Sequence, residues 1–248
     1  MSDTGSVTGV LAGVGPARRL DLAAFAECGL SLIRLRSLVN LTVDVAKWRD
    51  AGASLVVLQL LSPRVAQSPL SPEAFVEHFS SDLEAFLATG VRDIEIHDEP
   101  NRPDRGAGVS WQDGAAFGIW FEEVLLRLRA RFGEDLRLGF PGLAPTGVHR
   151  PTPSAPIDAP TFLSQCRPAV ELADWVALHV YWRTLEEMRA LDGAMGCLRD
   201  YLEAFETQNF IITEFANVNP ELAADVRGRQ YAEFTTLMAQ YDRILGTS

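Results

Sequence analysis

The feature that most constrains the fold of this chain is the regular alternation of two hydrophobic periods along it. Short β-rich runs occur at "SVTGVLAG" (6–13), "SLIRLRSL" (31–38), "SLVVLQLL" (54–61), "VRDIEIH" (91–97), "LRLGF" (136–140), "DWVALHVYW" (174–182) and "NFIITEF" (209–215). Each is followed by a segment with apolar residues at helical spacing: 20–29, 42–52, 71–90, 110–133, 159–173, 184–206 and 220–241. Glycine closes several of the helical segments, Ser71-Pro72 opens one, and Pro168 is expected to bend or break another. Strand-then-helix repetition implies a parallel sheet covered by helices. A doubly wound open sheet needs about five or six such units, and a closed barrel needs eight. Seven units and a candidate eighth strand "RILG" (243–246) predict an α/β fold, a (β/α)8 TIM barrel. It is expected to be a single domain over 1–248, with a shortened or incomplete eighth unit.

Other properties narrow the function. No run of about 18 uncharged apolar residues is present, so a membrane partner is not expected. The start "MSDTGSVTGV" lacks a basic region followed by an apolar block, which predicts a cytoplasmic protein or one whose leader has been removed. Cys28, Cys166 and Cys197 are an odd, widely spaced set, which argues against a disulfide framework or a structural zinc site. A net charge of −11 makes nucleic acid a poor partner. No glycine-rich phosphate loop is evident, and the sequence leaves the oligomeric state open.

The chemistry is concentrated at strand ends. "EIHDEPN" (95–101) masses Glu95, His97, Asp98 and Glu99 where the fourth strand must stop before Pro100. Glu214 lies inside the apolar run of the seventh strand, a place that packing alone does not explain. In an eight-stranded barrel, strands four and seven face one another across the C-terminal mouth, where catalytic groups collect. Two glutamates there can approach to about 5 Å, the separation used by retaining glycoside hydrolases.

These segments also resemble a known family. "EIHDEPN" resembles the E-x-W-N-E-P-N signature of clan A glycoside hydrolases, the retaining (β/α)8 enzymes, most closely the branch containing β-xylosidases and α-L-iduronidases. "NFIITEFA" is similar to the clan's seventh-strand motif, "GLSLIRL" to its second-strand motif, and "LHVYW" to its sixth. The resemblance implies a carbohydrate substrate and an acid/base at Glu99 with a nucleophile at Glu214. It implies that Arg34 holds the nucleophile ionised, and that Tyr181 or His179 orients the nucleophile or the sugar. No metal and no organic cofactor is expected. Further candidate sugar contacts are Asp98, Asn101, His97, Trp182, His149 and Arg150.

Two departures stand out. Asp98 occupies the family's asparagine position, replacing a donor to the sugar by a carboxylate that only accepts. The family's aromatic platform on strand eight has no counterpart, since no tryptophan follows Trp182. Two alternatives remain open: a catalytically weak glycan-binding pseudoenzyme, and a metal-dependent barrel isomerase or hydrolase using His97, Asp98, Glu99, His179 and Glu214. Bland readings also stand, with Arg34 as a buried ion-pair partner, His179 as a satisfied core histidine and Trp182 as a rim aromatic.

Overall fold

The computed structural model describes residues 7–145, 156–190 and 192–248. In chain order its elements are β1 (Val7–Leu11), α1 (Arg19–Glu27), β2 (Leu32–Arg36), α2 (Val43–Asp50), β3 (Leu55–Leu60), α3 (Pro72–Ala88), β4 (Asp93–Ile96) and α4 (Gly114–Phe132). There follow β5 (Arg137–Phe140), α5 (Ala159–Gln165), α6 (Arg167–Leu172), β6 (Trp175–Trp182), α7 (Leu185–Arg189), α8 (Ala194–Ala204), β7 (Phe210–Asn217), α9 (Ala224–Met238) and β8 (Ile244–Thr247). The strands close in sequence order into one barrel, and β8 pairs in parallel with β1. This is the expected (β/α)8 architecture.

Local chemistry sets the boundaries. Ser71 caps α3 by accepting from the Ala74 amide at 3.2 Å, and Pro72 occupies its first turn. Phe75, Phe79, Leu83 and Phe86 of α3 are buried at helical spacing. Pro168 falls in the first turn of α6 and separates it from α5, the expected break. Two expectations need correction. The helix expected over 184–206 is two helices, α7 and α8, joined where Gly193 passes so close to the Glu187 carbonyl that a Cβ would lie 2.1 Å from it. The helix expected from 220 begins only at Ala224, because the Asn219 side chain accepts from the Glu221 amide at 3.0 Å and holds the chain in a turn.

The barrel interior changes character along its axis. At the N-terminal end Leu32, Val57, Trp175, Ala177 and Ile211 form a small apolar plug. Trp175 fills it because residue 139 is glycine: a Cβ there would lie 2.3 Å from the indole. The next inward tier is ionic, with Arg34 and Glu95 fully buried. Outside the strands, Trp111, Phe117, Trp120 and Phe121 interlock between α3, α4 and the barrel wall, with ring centroids 4.9–6.1 Å apart.

One irregularity positions the site. Leu178 of β6 is in register with Ile212 of β7, but His179 is in register with Glu214, so Thr213 is an extra residue. Strict alternation would place Ile211 and Thr213 inward and Glu214 outward. The bulge re-aims Glu214 to the mouth beside Thr213.

Candidate active site

Arg34 is the centre of the site. Its Nε donates to Glu95 Oε2 at 2.7 Å, Nη1 donates to Glu214 Oε1 at 2.9 Å and to the Thr213 carbonyl at 3.3 Å, and Nη2 reaches Asp98 Oδ1 at 3.4 Å. Glu95 also accepts from the Thr213 hydroxyl at 3.3 Å. One guanidinium thus faces three carboxylates brought in by β4, its following turn and β7. Burial pushes the Glu95 carboxyl up against the pull of Arg34. Burial opposes charge on Glu214 as well, but there His179, Arg34 and the Tyr181 hydroxyl outweigh it and hold the carboxyl well below the usual range. Glu214 is therefore an anion whose second oxygen accepts from Tyr181.

After β4 the backbone turns sharply. His97 and Glu99 both have positive φ, 77° and 44°, a region that side chains other than glycine's occupy at some cost. The result separates three adjacent residues. His97 is turned into the outer aromatic layer, while Asp98 and Glu99 face the mouth. The Glu99 amide donates to the Gly142 carbonyl at 2.9 Å, tying its backbone to the segment after β5. Its Oε2 accepts from Arg102 Nη1 at 2.5 Å, and its Oε1 lies 3.3 Å from His179 Nδ1.

His179 rests against Gly142, where a Cβ would lie 2.3 Å from the imidazole Cδ2. Burial alone would drive the charge off this ring. The charge of Glu214, the contact with Glu99 and the charge of Asp98 prevail and push it up to about 9. Asp98 is buried too, which opposes its charge, yet Arg34 and His179 hold its carboxyl low. Arg105 Nη2 stands 3.5 Å from its other oxygen.

Oxygens of Glu99 and Glu214 and a ring nitrogen of His179 lie within 4.8 Å of one another, as do ligand atoms of Glu95, Asp98 and His179. These are the two sets among the described residues that could gather a cation. Arg34 already supplies positive charge to Glu95, Asp98 and Glu214, so a metal would compete with a buried guanidinium.

Of the residues expected at the site, Arg34, Asp98, Glu99, His179, Tyr181 and Glu214 converge on the mouth. Three do not. His97 is fully buried against Trp111, at a centroid distance of 5.4 Å, with Nε2 2.7 Å from the Arg105 carbonyl, and burial lowers its pKa to about 4. Asn101 spends its amide on backbone, donating to Ala144 and Ile157 and accepting from the Ala144 amide at 2.9 Å. Trp182 is fully buried against Phe215 and Phe234, and its Nε1 donates to Gln230 at 2.8 Å. Each is a framework residue where a sugar contact was expected, because the strand or turn carries it to the outer face or into backbone bonding. His149 and Arg150 lie outside the described residues. The site also includes Arg102, Arg105 and Thr213, which were not singled out, and Glu95, which was named in the acid cluster but given no role in the site. Glu95 was open to inference, since it lies between the outward-facing Ile94 and Ile96.

No family model and no curated protein matches this chain. Solved structures do. A GH128 (subgroup II) endo-β-1,3-glucanase from Sorangium cellulosum superposes with a TM-score of 0.66 at 16% identity, covering 98% of this chain and 86% of that one. A GH128 (subgroup III) curdlan-specific exo-β-1,3-glucanase from Blastomyces gilchristii gives 0.61 at 16% identity, covering 97% and 88%. The catalytic domain of GH30 xylanase C from Talaromyces cellulolyticus gives 0.61 at 9% identity, covering 99% and 67%. At these identities the likeness establishes the barrel fold.

Proposed function

We propose that this protein is a glycoside hydrolase of clan A type that cleaves an O-glycosidic bond with retention, using Glu214 and Glu99. The observation that carries the reading is the approach of their carboxylate oxygens to within 4.8 Å across the mouth. Retaining enzymes use a carboxyl separation of about 5–5.5 Å, whereas inverting enzymes leave room for water at about 6.5–9.5 Å. The likeness of the fold to several glycosidases supports the same class. The finer placement beside β-xylosidases and α-L-iduronidases rests on the sequence motifs alone.

Glu214 enters as the nucleophile. Arg34 and Tyr181 hold it anionic and fix the orientation of its oxygens, which is what attack on an anomeric carbon requires. Glu99 gives its proton to the leaving oxygen as the glycosidic bond breaks and is left a carboxylate, with the His179 ring nitrogen 3.3 Å away. Once the glycosyl-enzyme has formed, Glu99 withdraws a proton from water and the sugar is released. The product is a reducing sugar with the configuration of the substrate.

The test is proton NMR of the first product formed from a panel of activated aryl glycosides. Retention of anomeric configuration is expected. An inverted first product would overturn the double-displacement mechanism, and absence of turnover on every sugar and on β-glucan oligosaccharides would overturn the glycosidase reading.

A further inference from the structure

The acid/base must face the leaving group, so whatever lies beyond Glu99 shapes the aglycone site. A cavity of about 680 Å³ lies beside the two glutamates, between α5 and α8, and reaches them through the end of β6. At its inner end are His179 and Tyr181, which contact Glu99 and Glu214. One wall is Leu143, one residue beyond the Gly142 carbonyl that takes the Glu99 amide. The cavity runs outward between α5 and α8 past Leu163 and Ala204 to Phe205. The Arg167 guanidinium lies over the Phe205 ring at 4.8 Å, closing the far end.

Two features define what would fit. The walls are more apolar than polar, and the volume is that of a small-molecule site, about 300–1,000 Å³. Tyr201 also lines the cavity; its ring is largely buried, while its hydroxyl oxygen keeps accessible surface and makes no hydrogen bond among the described residues. A phenol placed in this way can pair with a ligand in the cavity. Burial pushes this one well above its ordinary pKa, so it is a neutral hydroxyl able to donate.

We propose that this cavity is an aglycone site for an apolar ring system carrying a terminal hydrogen-bonding group, with the Tyr201 hydroxyl as its partner. The proposal rests on the glycosidase reading for the placement of the bond to be cut. It makes the substrate a glycoside of an aromatic or alicyclic alcohol. The apolar body would lie along Leu143 and Leu163, and the polar end would reach Tyr201.

The test is calorimetric titration of the Glu214→Gln variant, which binds without cleaving, with methyl, naphthyl and hydroxynaphthyl β-glucosides. The naphthyl compounds should bind at least about tenfold more tightly than the methyl glycoside. Ala204→Trp, which adds bulk from a half-buried position, should erase that advantage. Tyr201→Phe should weaken the hydroxynaphthyl compound about three- to tenfold and leave the naphthyl compound as it was. Equal affinity for methyl and naphthyl glycosides, or an advantage that survives Ala204→Trp, would overturn the aglycone site. An unchanged hydroxynaphthyl affinity in Tyr201→Phe would remove Tyr201 from it. The wild-type chain separates the two readings: tight naphthyl binding with no naphthol released from naphthyl glycosides of any sugar in the panel, and no turnover of β-glucan oligosaccharides, leaves the cavity standing and removes the glycosidase.

Discussion

Arg34 and Glu95 meet at 2.7 Å with no exposed side-chain surface on either, and this pair aims the remaining guanidinium nitrogens at Glu214 and Asp98. A buried ion pair adds little net stability, but breaking one by removing a single partner costs about 3–5 kcal/mol. Glu95→Ala is expected to lose that much in urea unfolding. Glu95→Gln keeps an acceptor and should lose less, while kcat falls through the altered setting of Arg34 and KM changes little. A KM effect equal to the kcat effect would place Glu95 at the sugar itself.

The two glutamates should separate in their responses. Glu214→Ala should reduce turnover at least about 10⁴-fold on every substrate, since no nucleophile remains. Glu99→Ala should spare the first step for aryl glycosides with good leaving groups, which need little protonation. Azide should then speed the second step of the Glu99 variant and give a retained glycosyl azide. Identical behaviour of the two variants would remove the division of roles.

Two histidines bracket the pH range of stability. Folding pushes His179 up to about 9, so its contribution is fully present below about 6.5 and is lost as pH rises through 9. Folding lowers His97 to about 4, so the unfolded chain takes up the proton first and stability falls as pH drops from about 6.5 towards 4. Unfolding midpoints in urea across this range should be highest near neutrality, and NMR titration of the two imidazoles should give the opposite shifts. If His179 titrates near its ordinary value, the alkaline fall disappears.

Asp98 sits between Arg34, Arg105 and His179, and its charge offsets theirs. Asp98→Asn should lower stability by about 1–3 kcal/mol, the cost of weakening a buried charged bond. It also returns a donor to the position where the resembled family carries one. The expected result is a gain in kcat/KM on plain β-glycosides together with the loss in stability. Unchanged kinetics on every glycoside would mean that Asp98 serves only its neighbours.

Gly142 is where backbone and chemistry touch. Gly142→Ala would put a Cβ 2.3 Å from the His179 ring, so the imidazole must move from Glu99. A fall in kcat with a lost alkaline limb in the pH–rate profile is expected. A variant with wild-type kinetics would show that the ring position is immaterial.

The barrel was legible because its strands leave seven β-rich runs and a candidate eighth, and β4 and β7 advertise acids where packing offers no reason for them. Legibility failed where facing mattered more than type. His97 lies in the acid cluster in sequence, but a left-handed turn sends it among aromatics. Trp182 ends a strand with the right composition, yet alternation carries it to the helix layer. Arg102 binds Glu99 through a turn whose geometry no periodicity encodes.

The extra residue at Thr213 divides β7 into two grammars. Below it the strand alternates for the sake of the plug, with Ile211 as its last inward word; above it the count restarts in the service of the mouth. A point of resetting like this lets the catalytic end drift without renegotiating the hydrophobic one. It also gives Thr213 a task of its own: deleting it would fuse the two counts into one unbroken ladder with Glu214 still opposite His179, but would take a hydroxyl from Glu95 and a carbonyl from Arg34.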